Sequence, residues 1–362
     1  MAGNKTTALS LGILGPGLIG ATLLDQLRDQ APNLKEHFRI DLRVVGIASS
    51  KIMFLDESAV DLSKWRLEYN DRGTETDLRS FISHLQQDHF GPNKAIVDCT
   101  ASADVAEHYL EWLKLGIHII TPNKRANSGP LEKPFLGESC PLRIALSEVC
   151  FAWLFSLSYT DMEMIVKFTS SVRLTAGTLS YIFNNLTGDR TFSDVVKEAK
   201  AKGYTEPDPR DDLSGTDVAR KVVILAREAG LKLELHDIPV HSLVPQELQD
   251  PKLSVEDFMK RLPDFDEALS SRRKEAESSD EVLRYVGVVD VLNNRGSVEL
   301  KRIPKSDAFA QLNGSDNIIA FKTARYNENR LIVRGPGAGA AVTAGGVFSD
   351  ILKLTSNLGA PS

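Results

Sequence analysis

The chain has 362 residues, 42% of them hydrophobic and 25% charged, which is ordinary globular composition and long enough for two domains with cores of their own. A net charge of −6 gives no basic face for nucleic acid, and no apolar run reaches the ~18 residues of a membrane span. Three cysteines, Cys99, Cys140 and Cys150, show neither metal-ligand spacing nor a disulfide framework, so a reducing compartment is expected.

The opening MAGNKTTALS reads as neither signal nor transit peptide, which makes the cytoplasm the expected compartment; a plastid stays open if further residues precede it. Ala8–Leu14 reads as a short buried strand. Gly15-Pro16-Gly17-Leu18-Ile19-Gly20 follows, then a helical run to about Gln30. This is strand, G-x-G-x-x-G, helix: glycines let backbone approach a pyrophosphate, and the helix N-terminus offers N–H groups and partial positive charge to the anion. A tight strand–helix turn with no ligand would read the same way.

Ile40–Ala48 is the second strand. An NAD-specific site would put an acid at its end for the ribose 2′-hydroxyl. Here Ala48-Ser49-Ser50-Lys51 supplies hydroxyls and a cation instead, which favours a 2′-phosphate and hence NADP, with NAD still open. Asp56–Arg66 and Asp77–Phe90 read as helices. Lys94–Thr100 is a third strand ending in Asp98-Cys99-Thr100, at the carboxyl end where open α/β sheets place ligands. Ala101–Leu115 is helical, and Gly116–Thr121 is a fourth strand. Pro122-Asn123-Lys124 follows, so Lys124 projects from another carboxyl-end loop, either near a nicotinamide or simply into solvent.

Leu131–Ala176 keeps neither period 2 nor period 3.6, and its apolar residues form a block. Pattern resumes at Gly177–Asn184, and Phe192–Ala201 is a short helix. Gly203–Lys221, GYTEPDPRDDLSGTDVARK, then packs acids and two prolines into a turn-rich segment. Pro207 and Pro209 exclude a helix before about Asp211. Asp212 or Ser214 can cap the helix that starts near Thr216. Asp217 and Lys221 then sit at i and i+4 beside a turn holding Glu206, which is either an active-site wall or an ordinary ion pair. Leu231–Val244 (interrupted at Pro239), Glu281–Val291, Val298–Ile303, Asn317–Thr323 and Leu331–Val333 read as strands, and Val255–Leu262 and Phe265–Ala276 as helices. A second glycine-rich turn, Gly335-Pro336-Gly337-Ala338-Gly339, opens a last helix over about Val342–Leu358, with Gly337 a candidate for close approach to a nucleotide.

The assembled motifs resemble those of homoserine dehydrogenases, most of all the dehydrogenase portion of the plant bifunctional aspartokinase/homoserine dehydrogenases. The residues carrying this are GILGPGLIGATLLDQLRDQ, TPNKRANSGP, GTLSYIFNN, GYTEPDPRDDLSGTDVARK, GSDNIIAF and RGPGAGAAVTAGGVFSDIL, over Leu11–Pro130 and Gly177–Ser362. The resemblance implies NAD(P)H-linked interconversion of aspartate 4-semialdehyde and homoserine, with Lys221 and Lys124 flanking the reacting carbonyl. It implies Glu206 and Asp217 as substrate carboxylates, Thr178, Tyr204 and Asp212 as lining residues, and a homodimer.

One family element is not found. The loop Glu-Ala-Thr-Val-Gly-Ala-Gly-Leu-Pro, which carries substrate and monovalent-cation contacts in the family, has no counterpart in Leu131–Ala176, where Glu148 is the only acid near its position. Two origins account for this: a mis-assigned exon or shifted frame, or a divergent paralogue with impaired catalysis. The expected fold class is α/β: a Rossmann-type dinucleotide-binding domain over residues 1–150, completed by the C-terminal segment 335–362, and an α+β substrate and dimerisation domain over 151–334.

Overall fold

The computed structural model describes residues 6–131, 144–146, 169–175, 177–337 and 339–359. They form two compact units. The first takes the chain up to Asn127, includes the short stretch Ile144–Leu146, and returns for the segment from Gly339 onward.

In the first unit, seven strands pair in the order β4-β3-β2-β1-β5-β6-β7. They are β1 (Thr7–Leu14), β2 (Ile40–Ala48), β3 (Ile52–Leu55), β4 (Thr74–Glu75), β5 (Lys94–Asp98), β6 (His118–Thr121) and β7 (Ile144–Leu146). β2, β1, β5, β6 and β7 run parallel, and β3 and β4 extend the sheet antiparallel. β1 is apolar nearly throughout and buried, as expected of a strand covered on both faces. On one face, Leu9, Leu11 and Ile13 pack with Leu23, Leu24 and Leu27 of helix α1 (Leu18–His37), Trp65 of α2 (Trp65–Arg72), and Val347, Ile351 and Leu354 of the last helix. On the other lie Phe81 and Leu85 of α3 (Leu78–Leu85), Ala106 of α4 (Ala103–Glu107), and Tyr109, Trp112 and Leu113 of α5 (Tyr109–Lys114). The Phe81 ring lies on bare backbone: a Cβ at Gly12 would be 2.7 Å from it and one at Gly46 2.9 Å.

The second unit holds five antiparallel strands in the order β10-β9-β8-β11-β12. These are β8 (Thr169–Leu174), β9 (Glu281–Asp290), β10 (Arg295–Pro304), β11 (Asp316–Thr323) and β12 (Leu331–Pro336). The helices are α6 (Gly177–Asn185), α7 (Phe192–Ala201), α8 (Pro209–Leu213), α9 (Thr216–Glu228), α10 (Val255–Arg261) and α11 (Asp266–Ser278). α9 beds closely on the sheet because two strand residues lack side chains: a Cβ at Gly287 or Gly296 would lie 2.7 Å from Val222. The last helix, α12 (Ala340–Asn357), completes the first unit.

Several expected elements differ. Asp56–Lys64 is not helical, because Asp56 accepts hydrogen bonds from the Ser58 and Ala59 N–H groups and Asp61 from Ser63, local bonds that compete with helix. Helix there begins only at Trp65. The run Ala101–Leu115 breaks at His108 into α4 and α5. Leu231–Val244 forms no strand: Glu234 and Asp237 close a capping box around a 3-10 turn at Leu235–Asp237, and Val240 makes only one bridge, to Val298. Within Leu131–Ala176, β7 and β8 show that two short strands were hidden in the aperiodic block. Its remainder, with Cys140, Glu148 and Cys150, lies outside the described residues, apart from Leu131 and Thr175.

Candidate active site

The first unit places its glycine-rich turn where the parallel sheet reverses its strand order, with β2 on one side of β1 and β5 on the other. Each glycine has a different physical reason. Gly15 has φ +82°, and a Cβ there would meet Thr100 Cγ2 at 2.8 Å and the Cys99 backbone at 3.0 Å. Gly20 lets α1 close onto the turn, since its Cβ would lie 2.2 Å from the Gly15 carbonyl. Gly17 faces open space, and a Cβ there would find nothing within 4 Å. No side chain caps the first turn of α1, no acid lies in it, and Leu18 is 78% exposed beside Ile19. An uncapped helix start with open space over the second glycine fits a pyrophosphate.

At the end of β2 the Ser49 hydroxyl is spent on its own turn. It accepts the Lys51 and Ile52 N–H groups at 3.2 and 3.1 Å. The exposed side chains of Ser50 and Lys51 therefore remain to meet a ligand, and Ser49 is better described as shaping the loop. Thr100 is likewise held locally: its N–H donates to Asp98 Oδ1 at 2.8 Å and its hydroxyl accepts the Ser102 N–H at 3.2 Å.

Lys124 stands half-buried in the turn after β6, and Asn123 fixes that turn on either side of it. The Asn123 N–H donates to Thr121 Oγ1 at 2.8 Å, and Asn123 Oδ1 accepts the Arg125 N–H at 3.1 Å. Asp98, Tyr109, Thr121 and Asn123 were not foreseen as a set. Burial raises the proton affinity of the Asp98 carboxyl, against hydrogen bonds from Tyr109, Thr100 and Asn123 that lower it. Burial and the neighbouring Asp98 charge raise the Tyr109 phenol as well.

The second unit gathers the acids. α8 begins at Pro209, not after it, because proline at a first helical position loses no hydrogen bond. Asp208 caps it, and Arg210 ties the turn down by donating to the carbonyls of Asp250 and Leu253 at 3.1 and 2.9 Å. The cap of α9 is Gly215, with φ +75°, in place of Asp212 or Ser214. Ser214 Oγ still accepts the Thr216 N–H at 3.2 Å. Asp212 turns instead to the preceding loop and accepts the Glu206 N–H at 2.8 Å.

On α9, Lys221 Nζ meets Asp217 Oδ2 at 2.7 Å, the i,i+4 pair that the spacing required. Lys221 is only 6% exposed, whereas the Asp217 side chain is 43% exposed. A buried ammonium with a half-open carboxylate is unlike an ordinary surface pair. Asp212 is pushed up to about 6, mainly by burial, with the negative charges of Glu206 and Asp217 adding to it and hydrogen bonds from Glu206 N–H and Thr178 opposing. Thr178, in the first turn of α6, donates its hydroxyl to the Tyr204 carbonyl at 2.7 Å, and the Tyr204 ring, 43% exposed, lies 4.8 Å from that of Tyr181. Thr178, Tyr204, Glu206, Asp212, Asp217 and Lys221 thus come together. Gly337 has a packing reason of its own: a Cβ there would lie 1.5 Å from Asn317 Nδ2. Among the described residues no cluster of His, Cys, Asp and Glu could hold a metal ion, and the place of the family's cation loop falls among residues not described.

The arrangement offers dinucleotide recognition in one unit and, in the other, carboxylates suited to an ammonium group beside a cation suited to a developing alkoxide. Comparison with known proteins identifies the family. A family model described as homoserine dehydrogenase, NAD binding domain, matches residues 15–134, and one described as homoserine dehydrogenase matches residues 161–352. The second match takes in residues ahead of Gly177, where the resemblance by motif had broken off. The chain is 56% identical over 366 residues to the chloroplastic bifunctional aspartokinase/homoserine dehydrogenase 2 of Arabidopsis thaliana, covering 98% of this chain and 39% of that protein. It is 38% identical to the homoserine dehydrogenase of Saccharomyces cerevisiae, covering 98% of this chain and 100% of the yeast protein. Among solved structures, a Candida auris protein of unknown function superposes with a TM-score of 0.86 at 35% identity, covering 98% of this chain and 99% of that one. The Staphylococcus aureus homoserine dehydrogenase superposes with a TM-score of 0.68 at 19% identity, over 98% of this chain and 78% of that one, a likeness of fold. The chain spans about 39% of the length of its bifunctional plant relatives. No helix among the described residues is long and apolar enough to cross a membrane.

Proposed function

The chain belongs to the homoserine dehydrogenase family, and from that premise we propose that it interconverts L-aspartate 4-semialdehyde and L-homoserine with a nicotinamide dinucleotide, in the route to threonine, methionine and isoleucine. The observation that carries the reading is the buried Lys221 ammonium, ion-paired to Asp217 at 2.7 Å, in one cluster with Glu206 and Asp212. When bound at the glycine-rich turn, the nicotinamide dinucleotide would supply or take the hydride at the carbonyl carbon. In the reducing direction the aldehyde oxygen gains negative charge as that C–H bond forms. A lysine ammonium, Lys221 or Lys124, stabilises this oxygen and gives it the proton that completes the alcohol; in the oxidising direction the same nitrogen takes the proton back. Asp217 holds the Lys221 nitrogen in place through their ion pair. Glu206 and Asp212, with Asp217, suit the substrate ammonium, and Thr178 and Tyr204 shape the loop that carries them.

NADP is the preferred cofactor in this reading. β2 ends without an acid, and the Ser50 hydroxyl and the Lys51 ammonium are exposed there for a 2′-phosphate. A homodimer formed through the second unit belongs to the same reading. The plant relatives are described as chloroplastic, which supports a plastid over the cytoplasm as the working compartment. A monovalent cation is left out, since its family loop was not found in the sequence.

The test is homoserine-dependent reduction of NADP+ by the purified protein, with Lys221→Ala and Lys124→Ala as controls. Turnover abolished or severely cut by either change is the expected result. A second reading, a dinucleotide-binding relative with impaired catalysis, is favoured by one observation: residues 135–160 fall in neither matched stretch. Tight NADPH binding with no turnover in the unaltered protein would select it.

A further inference from the structure

Asp98, Tyr109, Thr121 and Asn123, buried together in the first unit, are unused by the chemistry above. Asp98 and Tyr109 are each 0% exposed. Asp98 Oδ2 accepts from the Tyr109 hydroxyl and, at 3.2 Å, from Asn123 Nδ2, while Oδ1 accepts the Thr100 N–H at 2.8 Å. The Tyr109 hydroxyl also reaches Thr121 Oγ1 at 3.1 Å, and Thr121 donates to the Asp98 carbonyl at 2.8 Å. Burying a carboxyl is costly, and an apolar side chain would fill the same volume without that cost. What the carboxyl adds is a fixed geometry. Asp98 closes β5 and Thr121 closes β6, so one side chain ties the start of the loop after β5 to the turn after β6. Asn123 completes the tie: its Nδ2 also donates to the Ser102 carbonyl at 2.7 Å, and its Oδ1 takes the Arg125 N–H, so Lys124 is bracketed on both sides.

We propose that Asp98, acting through Asn123 and seconded by Tyr109, is a positioning residue for Lys124, fixing where the turn after β6 presents its ammonium group. The role in turnover rests on the homoserine dehydrogenase reading; the placement of the lysine does not, and the experiment separates the two. The raised proton affinity of Asp98 is consistent with a group retained for geometry despite its burial.

The experiment compares the unaltered protein with Asp98→Asn and Tyr109→Phe. Acylation of each lysine by a small activated ester is followed by mass spectrometry, alongside NADPH affinity and steady-state kinetics. Displacing the turn is expected to change the acylation rate of Lys124 by about threefold or more, with Lys51 and Lys221 moving by less than about 1.5-fold, because reactivity follows local environment and access. In turnover, Asp98→Asn should lower kcat by about 10–100-fold, the usual effect of losing an outer-shell hydrogen bond, with NADPH affinity within about twofold. Asp98→Asn combined with Lys124→Ala should be no slower than Lys124→Ala alone, because both act through one group. An unchanged Lys124 acylation rate overturns the proposal whether or not the protein turns over homoserine, and so do additive losses. Changed acylation in a protein inert toward homoserine upholds the placement and removes the function assigned above. Should Asp98→Asn fail to fold, Tyr109→Phe, which deletes one hydroxyl and keeps the ring, gives the same acylation readout.

Discussion

Lys124 and Lys221 are held by opposite means. Lys221 rides on a helix of thirteen residues, is almost wholly buried, and is gripped by a carboxylate one turn earlier. Lys124 rides on a turn that has no regular structure, and the turn is gripped by a buried hydrogen-bond set. A helix moves as a rigid body, so its lysine depends on the seat of the helix and on the carboxylate beside it. A turn can be displaced residue by residue, so its lysine depends on every bond that pins it. The difference teaches that two side chains of one kind can have unequal tolerance to change nearby.

Removing each amine tests whether the helical lysine is the proton-transfer group. Lys221→Ala should lower kcat by about 10³–10⁴ and Lys124→Ala by about 10², in an assay of homoserine-dependent NADP+ reduction; the reverse order would make the turn lysine the acid/base. Unseating the helix should be the largest effect on stability. Gly215→Ala forces a side chain at φ +75° and puts a Cβ 2.0 Å from the Tyr285 hydroxyl, so a loss of about 2–4 kcal/mol is expected in urea denaturation. A variant within about 0.5 kcal/mol of the parent would show that the helix start yields easily. Taking only the charge from the partner is milder: Asp217→Asn should cost about tenfold in kcat/KM, less than losing Lys221 itself. Equal losses would mean that the pair works as a single unit.

The smallest effect is in pH dependence. The Asp212 carboxyl is raised to about 6 in the fold against an ordinary 3.8. The folded protein therefore binds more protons than the unfolded chain between these values, and stability falls as pH rises through that window. Asp212→Asn removes this term. Thermal melts should show the variant gaining on the parent from about pH 4 to pH 6, with no further change above. A difference that is flat across the window would mean that solvent reaches Asp212 freely.

The helical lysine was legible because regular structure has a period. The i,i+4 spacing of Asp217 and Lys221 and the start at Thr216 follow from the sequence, and the structure agrees on both. The strands β1, β2 and β5 and the G-x-G-x-x-G turn were legible for the same reason, a local pattern with a local cause. The set around Asp98 was not, because its members are up to 25 residues apart and meet only once the sheet has formed. Gly215 as the cap of α9 was missed too: the requirement for glycine comes from Tyr285 and Val240, which no window around Gly215 contains. Asp56–Lys64 misled in the other direction, since side chains that suit a helix surface also bond their own backbone.

The core of the nucleotide-binding unit is shared by Leu9, Leu11 and Ile13 near one end of the chain and Val347, Ile351 and Leu354 near the other. During synthesis the first of these must wait for the last. The ribosome adds roughly 5–20 residues per second, so the parallel sheet spends on the order of ten seconds or more with one face only partly covered, by α1 and α2. The second unit, drawn almost entirely from the stretch between, can reach its final contacts first. A nascent chain stopped shortly before Ala340 should accordingly bind a chaperone through the part of that face which α12 covers, and the emergence of α12, rather than the appearance of the glycine-rich turn, should mark the moment at which nucleotide binding begins.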